Sequence, residues 1–548
     1  MKNIAIISKS LHEGDAERLT ALLSKKLSKS YHVYLFLMNT SNIVYEYGGT
    51  IVNIGETGPF FEYSIKIYKE KYKIDVAISL IEMINFANIR TRGSERVIIL
   101  ERNVQSLAEV KAYADNLLRH RYYDYADEIV ADAMMTECEN DKIPDKWIEI
   151  IEKENRKNVG PIAEEMRVLD EADHIYIYGA GLVGKSYYIR LSKKYKIEGF
   201  VVSSKEPGKD ELYGIPVFEI DDVKNRVSTA FIVGVSHIYQ DEIVGNIKEH
   251  GFEKIVFPWI EPLSYNYYMN CSNLDIRAEL IDWSRLHLGR NFDIDMPVGF
   301  NEKIQWLKLY DNQAIKTKLA DKVLVRAYIK EKIGEEYLIP CLGVWDSFDE
   351  IDWTSLPEQF VIKCNHGSGM NAIIKDKKGI NYSQLRIKFA HWMDINYAFT
   401  SGFEMHYYGI QPQIIAEKML ESDDGEDLKD YKVFVFNGTV KMIQVDIDRQ
   451  HSHRRNLYTP DWEYLPYSIL YPTAPDVIIE KPKCLEKLIY LAEKLGEGFI
   501  HVRVDFYICN DRIYFGELTF AHGSGTEEFT PEEFDIEMGS WMKLEKPS

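Results

Sequence analysis

The sequence predicts a multidomain α/β protein: two consecutive domains built on parallel sheets, then an α+β domain with antiparallel strands. Three observations carry this. The chain has 548 residues, too many for a single core. Short apolar runs alternate with amphipathic helical patterns twice, once from the first residues and again from about residue 172. After about residue 275 the chain turns aromatic-rich, with long hairpin-like runs.

In the first domain NIAIIS is a buried strand, EGDAERLTALLSKKLSK an amphipathic helix and HVYLFLM the next strand. TIVNIG, DVAISL and RVIILERN add strands, and DEIVADA is the last; together they read as a doubly wound parallel sheet. Residues 136–170 are charged and helical, a connector, so this domain is placed at 1–165. The second domain, 166–265, opens on HIYIYGAGLVGKSYYIRLSKKY as strand, glycine turn and helix, followed by the strands IEGFVVSS, TAFIVGVS and KIVFP. The third domain, 275–548, contains YKVFVFNGTVKMIQVDID, a strand–turn–strand signature with the tight turn at Asn437-Gly438.

At 45% apolar and 28% charged the composition is that of a globular protein. Lys+Arg 66 against Asp+Glu 86 gives −20, which argues against a nucleic-acid partner. The six cysteines (Cys138, Cys271, Cys341, Cys364, Cys484, Cys509) are scattered and show no zinc spacing, so they read as reduced thiols of a cytoplasmic protein. The start MKNIAIISKS reads as a strand and not a signal peptide, and no window approaches the roughly 20 apolar residues of a transmembrane helix. Work beside a membrane stays compatible with this, and the sequence does not set the oligomeric state.

The chemistry starts at FVIKCNHGSGMNAII, Phe360 to Ile374. An apolar strand ends in Lys363 and breaks into a loop with Gly367, Ser368 and Gly369. A lysine at a strand end is often structural, its stem packed and its ammonium in water. Beside glycines that let the backbone approach an anion, it also supplies a point charge for phosphate oxygens. The Walker pattern is absent. Far along the chain, HVRVDFYICNDRIYFGELTF reads as a hairpin around Asn510-Asp511. Arg503 and Asp505 share one face by the period of two, and Glu517 returns across from them. Two carboxylates on adjacent strands need a cation between them, and Mg²⁺ suits hard oxygen ligands near phosphates. A surface hairpin with an Arg–Asp pair is the alternative.

Lysine strand, glycine loop and distant RxD hairpin closing on an ExT strand resemble the ATP-grasp fold, and within it the TupA-like (teichuronopeptide biosynthesis) branch. FNEKIQWLKLYD, LADKVLVRAYIKEKIGEEYLIP, LPEQFVIKCNHGSG, IIAEKML, DYKVFVFNGTVKMIQVDIDR and VDFY…YFGELTF match that branch in order over residues 275–548. The resemblance implies that Lys322 and Lys363 meet ATP phosphates and that His366 to Gly369 form the loop closing over them. It places Glu417 and Lys418 near adenine, and Asp430 at the ribose. It gives Arg503 to the γ-phosphate, and Asp505 and Glu517 to Mg²⁺. Many ATP-grasp enzymes carry asparagine two residues after the metal glutamate; Thr519 stands there, and the resemblance implies a hydroxyl or water ligand in its place.

Family chemistry implies an ATP- and Mg²⁺-dependent carboxylate–amine ligase acting through an acyl phosphate. The pathway implied is bacterial surface polysaccharide biosynthesis, with an amine joined to a uronic-acid-type carboxylate of a glycan or precursor. A sugar phosphotransferase on the same fold, a non-catalytic scaffold and a glycosyltransferase-related protein stay open as alternatives. The polar loop Asp446 to Trp462 supplies Arg449, His451, His453, Arg454 and Arg455; Arg449 is the residue taken to hold an acceptor anion, the alternative being a solvated loop.

The first domain resembles the N-terminal half of GT-B glycosyltransferases through LHEGDAERLTALLSKKLSKSYHV, INFANIR, ILERN and YYDYADEIVADA. It departs from that group at Gly14-Asp15, and the paired glutamates of the donor half are missing, which points to a relic or a binding module. In the second domain Gly179, Gly181 and Gly184 (GAGLVG) sit between strand and helix as in a dinucleotide fingerprint. The ribose-binding acid is missing, since the next strand ends Val202-Ser203-Ser204. Nucleotide or nucleotide-sugar binding and plain scaffolding stay open for this Rossmann-like domain.

Overall fold

The structure is a computed structural model and describes residues 1–12, 14–40, 43–54, 61–101, 122–123, 125–131, 145–153, 161–311, 313–420, 428–447 and 452–544. The chain falls into two compact units, Met1–Leu274 and Asp275–Ser548.

Among the described residues the N-terminal unit holds two six-stranded sheets. The first contains β1 (Asn3–Ser8), β2 (His32–Leu37), β3 (Thr50–Asn53), β4 (Val76–Ser79), β5 (Arg96–Glu101) and β6 (Glu128–Ala131). They lie in the order β3-β2-β1-β4-β5-β6 with every pairing parallel. Both faces are covered, so the strands are apolar on both sides: Ile4, Ile6 and Ile78 face one core, and Ala5, Ile7 and Phe36 the other. Helix Asp15–Leu27 lays Leu19, Leu23 and Leu27 onto the first. The connector is more than a linker. Trp147, Ile150 and Ile151 of helix Lys146–Glu152 enter the same core, and buried Arg96 donates to the Ile150 carbonyl at 2.5 Å.

The second sheet contains β7 (His174–Tyr178), β8 (Gly199–Val202), β9 (Glu211–Leu212), β10 (Ile215–Glu219), β11 (Thr229–Val233) and β12 (Lys254–Val256), in the order β12-β11-β7-β8-β10-β9. It is parallel except for β9, which pairs antiparallel with β10 through a turn at Tyr213 and Gly214, φ 56° and 81°. That hairpin has no counterpart in the sequence reading; two residues of strand are too few to display an alternation.

The C-terminal unit is α+β. A four-stranded sheet runs β13 (Cys341–Trp345), β16 (Ile414–Lys418), β14 (Phe360–Cys364), β15 (Asn371–Ile374). A six-stranded sheet runs β20 (Tyr464–Leu465), β19 (Arg454–Tyr458), β18 (Thr439–Ile447), β17 (Asp430–Phe436), β22 (His501–Cys509), β23 (Arg512–Thr519). A small sheet pairs β21 (Ser468–Ile469) with β24 (Phe529–Thr530). All these pairings are antiparallel. Asn437-Gly438 (φ 47°, 79°) and Asn510-Asp511 (φ 54°, 61°) turn left-handed at the two expected hairpins, the geometry that matches strand twist.

One face of the six-stranded sheet packs Val433, Val435, Val502 and Val504 against helix Leu485–Gly496. The other is divided along its length. At one end Phe434, Phe436 and Met442 pack on helix Phe300–Tyr310. Farther along the same strands, the same alternation presents Lys432, Asp430, Arg503 and Asp505. The charged band is the continuation of a core face.

Candidate active site

Register builds the site. Lys432 stands opposite Asp505 on β22, and Asp505 opposite Glu517 on β23, while Arg503 pairs with Thr519. The β22–β23 ladder shifts between Asp505 and Phe506, with Phe515 opposite Phe506 and Gly516 as the extra residue. This bulge decides which side chain faces Asp505. Without it Gly516 would face Asp505, and Glu517 would face Val504 in the apolar core. A Cβ on Gly516 would come 3.0 Å from the Asp505 carbonyl oxygen, tighter than ordinary van der Waals contact.

Arg503 grips Asp505 with both edges of its fork, Nε to Oδ1 and Nη2 to Oδ2, each at 2.7 Å. Nη2 also donates to Thr519 Oγ1 at 3.1 Å and lies 3.6 Å from Glu517 Oε1. Burial pushes Asp505 up to about 6 against the pull of Arg503 and Lys432. Burial also works to raise Glu517, but Lys322, Arg503 and Lys363 together hold it below the usual carboxylate range.

The four-stranded sheet contributes the other side. Lys363 opposes Ile415, and Glu417 opposes Val361, so both side chains lie on one face and meet diagonally at 2.6 Å. Arg326 holds the second Glu417 oxygen at 2.8 Å. Lys322 joins the two sheets: its backbone N–H donates to Asn365, its Nζ donates to the Gly367 carbonyl at 2.6 Å and stands 3.8 Å from Glu517 Oε2. Burial lowers Lys322, with Glu517 opposing the drop.

The loop after β14 is half anchored. His366 is buried and its Nε2 donates to the Trp392 carbonyl at 3.1 Å, so its ring is held in the interior. Gly367 packs on Tyr397, whereas Ser368 and Gly369 are exposed at the tip. Lys418 alternates to the face opposite Glu417 and is exposed. Asp430 is tied to Lys432, which is also 3.2 Å from Asp446.

The segment read as a basic loop is different in kind. Arg454–Tyr458 is a strand, and Arg455 is an interior residue: its guanidinium bonds Asp446 at 2.8 Å, the Ile469 carbonyl at 3.0 Å and Glu527 at 3.2 Å. The carboxylates that bury it come from elsewhere in the chain. Arg454 faces Asp476, and His453 stacks on Tyr471 with ring centroids 3.7 Å apart. Arg449 and His451 lie outside the described residues. The sequence reading also missed His522, whose Nδ1 accepts from Arg503 Nη1 at 2.5 Å and whose Nε2 is 3.0 Å from Glu527. A signal was present: HGSG occurs twice, at 366–369 and at 522–525.

Among the described residues no group of three or more His, Cys, Asp or Glu is arranged to hold a metal. Mg²⁺ needs only one or two protein carboxylates when phosphates complete its shell. The directly paired Asp505 and Glu517 fit that demand.

In the N-terminal unit the three glycines of GAGLVG have separate reasons. Gly179 turns with φ 113° and its Cβ would strike the Gly234 carbonyl oxygen at 2.5 Å; a Cβ on Gly184 would lie 1.8 Å from the Gly179 carbonyl oxygen. Nothing lies within 4 Å of a Cβ on Gly181, at the N-cap of helix Leu182–Leu191. Where an acid is missing, Ser203 bonds the Tyr178 hydroxyl at 3.1 Å. Gly184→Ala is expected to destabilise the N-terminal unit by about 3 kcal/mol, read from its thermal transition, because the crowding atom is backbone and cannot swing aside; an unmoved transition would contradict this packing.

The C-terminal unit has the ATP-grasp fold. Residues 302–543 match the model of the family described as TupA-like ATPgrasp, and this segment is a member of that family. No curated protein matches the chain. Among solved structures, the ATP-grasp ligase PsnB complexed with minimal precursor is 9% identical, covering 64% of this chain and 90% of its own, at TM-score 0.23. N5-carboxyaminoimidazole ribonucleotide synthetase from Thermus thermophilus is 11% identical, with coverages of 63% and 71% and TM-score 0.23. Cdc123 from Schizosaccharomyces pombe is 10% identical, with coverages of 38% and 85% and TM-score 0.23. At scores this low the likenesses add nothing to the family match. No helix among the described residues is long and apolar enough to cross a membrane.

Proposed function

We propose that the protein is an ATP- and Mg²⁺-dependent carboxylate–amine ligase that amidates a uronic-acid-type carboxylate of a bacterial surface polysaccharide or its precursor. The observation that supports this most is the meeting of Lys322, Lys363 and Glu417 with Glu517 and Arg503, inside the family-matching segment. Lys322 and Lys363 bind phosphate oxygens on this reading, with Arg503 on the γ side, and the exposed Ser368-Gly369 tip closes over them. Thr519, beside Arg503, serves the metal side through its hydroxyl or a water. Asp505 and Glu517 would hold Mg²⁺, which would supply neutralisation of charge on the transferring phosphoryl group. The substrate carboxylate attacks the γ-phosphorus, ADP leaves as the β–γ anhydride breaks, and the amine then displaces inorganic phosphate from the acyl phosphate to form the amide with loss of a proton. No protein nucleophile is required; Cys364, next to Lys363, is a buried thiol pushed up to about 12 by burial. The N-terminal unit, with its open Gly181 turn, serves acceptor or partner binding.

The test is incubation with ATP, Mg²⁺, surface glycan from a strain lacking the protein and a mixture of the twenty amino acids. ADP release that needs both glycan and amine, with an amide-linked substituent in the glycan by mass spectrometry, is expected. A stable phosphoester formed without amine would make the protein a phosphotransferase instead.

A further inference from the structure

Asp505 cannot serve two cations on one edge. Its two oxygens are each 2.7 Å from the Arg503 fork, and it is only 4% exposed. Glu517, opposite it, is the open member of the pair, a third exposed and no closer than 3.6 Å to a cationic nitrogen. A divalent ion arriving alone therefore meets one accessible carboxylate and a guanidinium already seated on the other. Arg503 has a second anchor: Nη1 donates to His522 Nδ1, and His522 is braced by Glu527, itself bound by Arg455. The guanidinium can thus let go of Asp505 without losing its place, provided another acceptor takes the freed N–H groups.

We propose that Arg503 plugs the metal position of the nucleotide-free protein, and that His522 is the positioning residue on which it turns toward phosphate, so that metal is admitted only with nucleotide. The inference rests on the ATP reading of the site. It gives Arg503 two successive partners, Asp505 before the nucleotide binds and phosphate oxygens after.

Mn²⁺ binding, followed by the electron paramagnetic resonance of the free ion with and without the non-hydrolysable analogue AMPPNP, tests it. The wild-type protein is expected to bind Mn²⁺ weakly alone and at least about tenfold more tightly with AMPPNP, the scale of one charged hydrogen bond. Arg503→Met should raise nucleotide-free Mn²⁺ affinity by about tenfold. Arg503→Lys keeps the charge but cannot fork across two oxygens, so it should gain as well, and it carries the test if the Met variant does not fold. Lys432→Met removes a positive charge facing Asp505 without removing a bond to it, and should gain less than about threefold. His522→Leu should shrink the AMPPNP-driven gain, and His522→Asn, which restores an acceptor, should recover it. Arg503 variants no tighter than Lys432→Met, or wild-type affinity indifferent to bound AMPPNP, would overturn the proposal. Failure of AMPPNP to bind at all would instead defeat the ATP reading beneath it.

Discussion

Lys363→Met is expected to lower ATP-dependent ADP formation by about 10²-fold or more, while the melting temperature stays within a degree or two of wild type, the scale of losing one preorganised charge at a phosphoryl-transfer site. The variant keeps the aliphatic stem on β14 and removes only the ammonium. Glu417 is not stranded, because Arg326 still holds its other oxygen at 2.8 Å. On the proposed reading the loss is therefore one of phosphate binding. Isothermal titration of AMPPNP with Mg²⁺ should show at least about tenfold weaker affinity, the value of a charged hydrogen bond. Wild-type affinity in a folded Lys363→Met protein would remove this residue from the site.

Asp446→Leu should cost the C-terminal unit about 3 to 5 kcal/mol, measured by urea unfolding at pH 7. Asp446 is the carboxylate on which Arg455 (2.8 Å) and Lys432 (3.2 Å) converge, all three buried. Leucine leaves those cations sharing Asp430 and Glu527. The acid limb gives an independent check. Burial works to raise Asp446, but Lys432 and Arg455 outweigh it and hold the group well below its ordinary 3.8. A carboxylate depressed in the folded state contributes stability that is present above the unfolded value and is lost as pH falls below it toward the folded one. The wild-type unit should therefore lose stability below about pH 4 more steeply than Asp446→Leu, and the two curves should converge in acid. Parallel curves would mean that Asp446 binds its proton equally well in the folded and the unfolded protein, so that neither Lys432 nor Arg455 holds it down.

Much of the architecture was legible because the physics behind it is local. Ile4 to Ile7 and Ala230 to Val233 are buried on both faces of parallel sheets, and such strands read as unbroken apolar runs. Asn437-Gly438 and Asn510-Asp511 announce their hairpins through residues that tolerate a left-handed backbone. The facing of Arg503 and Asp505 follows from the period of two. What stayed hidden depends on partners far apart in sequence. Arg455 looks like a surface cation until Asp446 and Glu527 arrive beside it. His522 acquires a meaning only once Arg503 is seen to donate to it. Trp147 sits in a charged stretch, and nothing local says that it will be buried in the first sheet's core.

The irregularity at Gly516 has a bearing on how this site can be altered. Two strands that keep perfect step hold a constant spacing, so any pair of side chains on them is fixed by the ladder alone. Here a single surplus residue resets the phase, at a place where a Cβ would press on the Asp505 backbone and the Tyr507 ring and not on either carboxylate. Side chains of graded size at that one locus would pry the strands apart by small increments. Such a series would change the spacing of Asp505 and Glu517 with both carboxylates kept in the chain.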